Sequence, residues 1–180
     1  MSKTVVQYTA RRVTYETSLT IGEVLARLDK EINKPGGGPP LFRLLREVKD
    51  RTELEDGLNA LTQGRDFVYF ADSAYHRWLN AYFGTTGTPQ TYVYVLGNPL
   101  IAQTMLQHDL SGALHIPPRI LVTEKADAPG TRIVYDDPAS TIPVPRSAGE
   151  AVNAELQTAA ETLSEKLEEL VQTIIRQDQA

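Results

Sequence analysis

Apolar positions along this chain change period several times, and each change marks an element. From Thr91 to Glu124 the sequence TYVYVLGNPLIAQTMLQHDLSGALHIPPRILVTE predicts a strand, a sharp turn, a short helix, a loop and a second strand. Tyr92 to Leu96 is a β-rich apolar run, and Gly97-Asn98-Pro99 stops it. Leu100, Ile101, Met105 and Leu106 form a helical face, and Ile116 to Val122 opens the next strand. Upstream, Val5 to Ser18 alternates loosely and predicts a strand or strand pair. Ile21, Val24, Leu25, Leu28 and Ile32 lie on one helical face, behind a capping box of Thr20 and Glu23. The cluster Pro35-Gly36-Gly37-Gly38-Pro39-Pro40 predicts a flexible loop. It has neither the following Lys-Ser/Thr of a phosphate loop nor the apolar strand before it.

Leu41, Phe42, Leu44, Leu45 and Val48 predict a short helix. Leu54, Leu58 and Leu61 predict another, capped by Asp50 or Thr52 and closed at Gly64. Asp66 to Phe70 reads as a strand. A helix through Tyr82 should follow, capped by Asp72 or Ser73, with Tyr75, Trp78, Leu79 and Tyr82 along it. Arg132 to Tyr135 should pair as a hairpin with Arg119 to Glu124 across the turn at 127–130. Three prolines between Pro138 and Pro145 predict extended, irregular chain. Gly149 to Gln177 reads as one long helix with Leu156, Ala160, Leu163, Leu167, Leu170 and Ile174 at alternating four- and three-residue steps. That spacing fits a seam between subunits or a helix packed on its own sheet; packing on its own sheet is the reading favoured.

This order of elements predicts an α+β fold: two layers, a mainly antiparallel sheet with helices on one face, and a long C-terminal helix. The expected organisation is a single domain over 1–146, with a helical insertion at 35–64, and the C-terminal helix over 147–180.

Charge and composition then narrow the function. The chain has 180 residues and a formal net charge of -5, which argues against nucleic acid as the main partner. It has no cysteine, so disulfides, thiolate metal sites and cysteine nucleophiles are excluded. No apolar run approaches the roughly 18–20 residues of a membrane span, so no membrane partner is expected. A soluble cytoplasmic protein is the expectation, with no cofactor and no metal.

Candidate chemistry rests on few residues. His76, His108 and His115 are the groups that titrate near neutrality, and none shows ligand spacing. Asp72 precedes His76 by four residues, as an orienting carboxylate or as a helix cap. Asn98 sits at a strand-to-helix turn, where its amide and the free amides of the helix start would suit an anion, or where it simply completes the turn. Aromatic residues crowd between Tyr69 and Tyr94, as a packed core or a pocket lining. No serine-nucleophile, dinucleotide or paired-carboxylate motif is present.

Gly97-Asn98-Pro99 with Met105, then Leu114-His115-Ile116-Pro117-Pro118-Arg119-Ile120-Leu121-Val122, then Val134-Tyr135-Asp136-Asp137-Pro138, resembles the family called domain of unknown function 302. Arg12-Val13-Thr14 through Leu28 is similar to that family's opening. The resemblance covers most of Val5 to Pro138, with the Pro35–Thr62 region like an insertion and the last helix like an extension. It implies a compact α+β domain, often a homodimer, and no cofactor. Many members carry an Asp-His pair after the strand equivalent to Phe67–Phe70; here Ser73 follows Asp72. The function expected is binding of a small molecule between sheet and helices, near Asp72, His76, Trp78, Asn98 and His115. The alternatives are an enzyme using His76 or His115 as acid–base, and an interaction module using the C-terminal helix.

Overall fold

The computed structural model describes residues 1–177. The last three residues of the expected C-terminal segment, 178–180, lie outside the described residues. In chain order the elements are β1 (Arg12–Thr17), α1 (Ile21–Glu31), α2 (Pro39–Glu47), α3 (Arg51–Thr62), β2 (Val68–Ala74), α4 (Tyr75–Phe83), β3 (Thr91–Gly97), α5 (Pro99–Leu106), a 3-10 turn (Leu110–His115), β4 (Arg119–Glu124), β5 (Thr131–Asp136), α6 (Pro138–Thr141) and α7 (Ala154–Ile175). The five strands form one antiparallel sheet in the order β1-β5-β4-β3-β2. The fold is α+β.

Strand alternation decides the layers. One face presents Tyr15, Ile133, Tyr135, Ile120, Val122, Tyr94 and Leu96 to a core closed by α1, α5 and α7. Helix α1 contributes Ile21, Val24 and Leu28, behind the capping box that Thr20 and Glu23 form in both directions. Helix α7 contributes Leu156, Ala160, Leu163, Leu167, Leu170, Val171 and Ile174. The seam read from its periodicity is therefore filled by the chain's own sheet. A second, smaller cluster joins Leu41 of α2, Leu58 of α3 and Val68 of β2.

Four expectations change. Residues 1–11 form no strand. Strand pairing of β1 with β5 runs out at Arg12 opposite Asp136; one more backbone bond, Asp137 N–H to Arg11 O at 2.8 Å, follows before the chain turns into α6 at Pro138. Asp72 and Ser73 are not helix caps: they lie in β2, paired with Tyr94 and Val93, and α4 starts at Ala74 without a side-chain cap. Pro138 opens a turn of helix rather than irregular chain, because it occupies the first helical position, where no N–H is needed, and Asp137 caps it. The glycine cluster is not a loose linker. Gly38 N–H donates to Tyr69 O at 2.8 Å and Tyr69 N–H donates to Ile32 O at 2.8 Å, so the segment after α1 covers the free edge of β2.

Asp50, not Thr52, caps α3 by accepting from Glu53 N–H at 2.9 Å.

Candidate functional site

The end of β3 builds the most apolar hollow near the residues singled out by sequence. Asn98 ends the strand, and Pro99 takes the first position of α5. After α5 the chain turns back through the 3-10 turn and a cis Ile116–Pro117 peptide into β4. Gly97 makes that return fit: a Cβ there would lie 2.7 Å from Pro117 Cβ. A bulge in β2 falls between Tyr69 and Ala71, leaving Phe70 outside the register. The bulge re-aims that ring, which meets Phe42 of α2 edge-on at 5.8 Å. Together these elements line a solvent-open cavity of about 470 Å³.

Its floor and walls are Phe70, Leu45, Pro99, Ala102, Leu106, Ile116 and Pro117, with Leu110 at the rim. Asn98, Gln103 and Gln107 supply the polar atoms. Both ends of the Asn98 side chain are already engaged. Its Oδ1 accepts from Leu100 N–H at 2.9 Å, and its Nδ2 donates to Asp66 O at 3.0 Å. Ile101 and Ala102 N–H both donate to Asn98 O. No amide at the start of α5 is left for an anion, so Asn98 completes the turn. Gln103 and Gln107 donate to Leu100 O and Thr104 O, which leaves their side-chain carbonyls able to accept. None of the cavity's lining residues is an acid, a base or a nucleophile.

The other singled-out residues stand apart from this wall. Asp72 is held by Lys34, whose Nζ lies 2.5 Å from its Oδ2, and accepts from Tyr69 OH at 3.2 Å. It therefore does not orient His76. The same ammonium donates to Tyr94 OH at 2.9 Å, and that hydroxyl donates to Asp29 at 2.8 Å. Burial works against the Lys34 charge, but Asp72, Tyr94 and Asp29 outweigh it and hold its pKa above the usual lysine range. Burial pushes the Tyr94 phenol up. Burial and the neighbouring Asp72 charge also raise Tyr69. The cluster ties α1 to β2 and β3.

His76 Nδ1 lies 3.0 Å from Thr91 N and 3.2 Å from Thr91 O, and its ring meets Tyr92 edge-on at 5.1 Å. It fastens α4 to β3. His115 lies 3.4 Å from Tyr8 OH, one residue before the cavity-lining Ile116. His108 follows the end of α5, and its carbonyl accepts from Arg146. The structure thus brings Asn98 to the cavity and His115 beside it, while Asp72, His76 and Trp78 lie elsewhere.

Trp78 is 53% exposed, and Tyr75, Tyr82 and Phe83 of α4 are also exposed. The aromatic run is therefore not one packed core. Tyr94 is buried, and α4 turns its rings outward. The sequence reading missed Leu45 and Phe70 at the cavity and Lys34 in its cluster. The one visible signal was the apolar Val68-Tyr69-Phe70 triplet, whose alternation fails where the bulge falls.

Among the described residues no three His, Cys, Asp or Glu side chains gather as a metal site. No described helix is long and apolar enough to cross a membrane.

Residues 46–174 match a family described as domain of unknown function DUF302, well over half of the 180-residue chain. The chain belongs to this family. The match takes in the cavity's lining residues from β2 onward, together with α3 and α7 as far as Ile174. The crystal structure of an uncharacterized conserved DUF302 protein from Bacillus stearothermophilus has the same fold. It is 14% identical, with a TM-score of 0.61, and the alignment covers 92% of this chain and 98% of that one. No curated protein matches this DUF302 chain.

Proposed function

We propose that this DUF302 protein binds a small, largely apolar molecule in the cavity between α2, α5 and the cis-Pro117 turn. The observation that carries this reading is the wall itself: about 470 Å³ of space, lined by aliphatic and aromatic groups. That volume falls in the range of about 300–1,000 Å³ common for small-molecule sites. Polar recognition falls to Gln103 and Gln107, each with a side-chain carbonyl able to accept and a second amide N–H able to donate. A ligand with one neutral hydrogen-bonding group and an uncharged apolar body fits these walls. A wall without acid, base or nucleophile supports binding over catalysis at this place. The same reading takes the working unit to be a homodimer.

N-phenyl-1-naphthylamine, a neutral fluorophore with a single N–H donor, is the probe. Its emission should rise saturably, with a Kd below about 50 µM. Ala102→Trp fills the cavity and Leu110→Arg sets a charge at its rim, where Leu110 is 77% exposed and tolerates change. Each should weaken binding at least about tenfold with the melting temperature kept. A wild-type protein that gives no saturable signal, or an Ala102→Trp variant that binds equally well, ends the proposal.

A further inference from the structure

The core-forming helices pack on one face of the sheet, and the opposite face carries an ordered pattern. Thr14, Val134, Leu121, Val93 and Ser73 are successive register partners, so they form one straight row across all five strands. Val134, Leu121 and Val93 at its centre are outside both core clusters and line a shallow hollow with Tyr75 of α4. Trp78 packs against Tyr75 at 5.9 Å and extends the apolar surface. On one side of the row Arg12 pairs with Asp136 at 2.8 Å, and on the other Arg132 pairs with Glu16 at 2.8 Å.

We infer that this face is where a second copy of the chain docks, sheet against sheet, about a two-fold axis lying along the Thr14–Ser73 row. The inference rests on the homodimer reading and names its surface. Charge complementarity carries it. The two flanking rows have opposite sign order: Arg12 then Asp136 on one side, Glu16 then Arg132 on the other. A two-fold along the row lays β1 on the partner's β1 and β5 on the partner's β5. It sets Arg12 over the partner's Glu16, and Asp136 over the partner's Arg132. The apolar row meets itself in the middle, with a polar rim around it. Aligned sheet packing at about 30° keeps this correspondence.

The face also suits an acidic chain. Arg12, Arg119, Arg132 and Lys125, which reaches Glu16 at 3.2 Å, against Glu16 and Asp136 leave it slightly basic, whereas the whole chain carries -5. The face therefore adds nothing to the acidic excess that sets two copies against each other, and its charges alternate in sign. Five strands about 4.8 Å apart and six residues of about 3.3 Å give roughly 400 Å² in projection. The exposed rings of Tyr75 and Trp78 adjoin this footprint.

Sedimentation velocity from about 1 to 200 µM reads the outcome. Wild type should be a dimer, and Leu121→Arg should raise its Kd at least about 100-fold with the circular dichroism kept. Arg12→Glu with Asp136→Arg preserves the pair within the chain but puts like charge over like across the axis, and it should also dissociate the dimer. Adding Glu16→Arg and Arg132→Glu reverses both rows and should restore it. If Leu121→Arg disturbs the fold, the charge series decides. A wild type that stays monomeric at about 200 µM removes both the homodimer reading and this face. A wild-type dimer indifferent to the charge reversals removes this face alone.

Discussion

Asp109 joins three parts of the chain with one carboxylate. It accepts from Arg146 Nε at 2.8 Å, and from Ser111 N–H and Oγ at 2.9 and 2.8 Å, so it caps the 3-10 turn below the cavity. The Arg146 guanidinium first, and then Ser111, hold its pKa down at about 2. An unfolded aspartate titrates near about 3.9. Because the folded value is the lower one, its stabilisation is complete above about pH 4 and is lost as pH falls toward 2. Asp109→Asn should flatten the fall in urea midpoint between those pH values, and an unchanged slope would refute the assignment. Asp137 plays a comparable part, holding Arg11, the Ala139 amide and Ser164 of α7. At this scale little was legible in advance. The capping box at Thr20 and Glu23 could be read, because both partners lie three residues apart. The distant partners of these side chains, Arg146 for Asp109, Arg11 and Ser164 for Asp137 and Asp72 for Lys34, come from 27 to 126 positions away, and spacing carries no trace of them.

At the scale of elements, the chain segment between α1 and α2 shows what a glycine is for. Gly37 is buried against β2, and a Cβ there would sit 2.4 Å from Tyr69 O, a backbone atom that cannot swing aside. Gly37→Ala should destabilise by about 2 kcal/mol, lowering the melting temperature by about 4–8 °C. A melting curve within about 1 °C of wild type would show that the segment yields freely. The composition announced a breaker cluster, and that was correct. Whether such a cluster is loose or packed depends on the unpaired edge of β2, which no local pattern reveals. Strand ends followed the same logic. Cross-strand pairing carries β2 through Asp72 and Ser73 to Ala74, overriding two good capping residues. The turn of the chain into α6 after Asp137 stops β1 at Arg12.

At the scale of the molecule, α7 is part of the main core rather than an appendage. Leu156, Ala160, Leu163, Leu167, Val171 and Ile174 are each at most 3% exposed and share a cluster with α1 and the sheet. Each large aliphatic side chain buried this way contributes about 1.5–3 kcal/mol, against a whole-domain stability of about 5–15 kcal/mol. Deleting Gly149 onward should therefore abolish cooperative unfolding and near-ultraviolet dichroism. A truncated chain that melts cooperatively would mean that α7 is dispensable. The sequence by itself determined the α+β class, the order of most elements, the hairpin of β4 and β5 and the apolar face of each core helix. Those follow from periodicity and from caps acting within a few residues. Tertiary structure alone decided that Phe70 and Pro117 meet across a cavity, that Asp72 serves Lys34 rather than His76, and that the rings of α4 face outward. Each depends on which distant segments become neighbours, and a one-dimensional pattern holds no distances between segments.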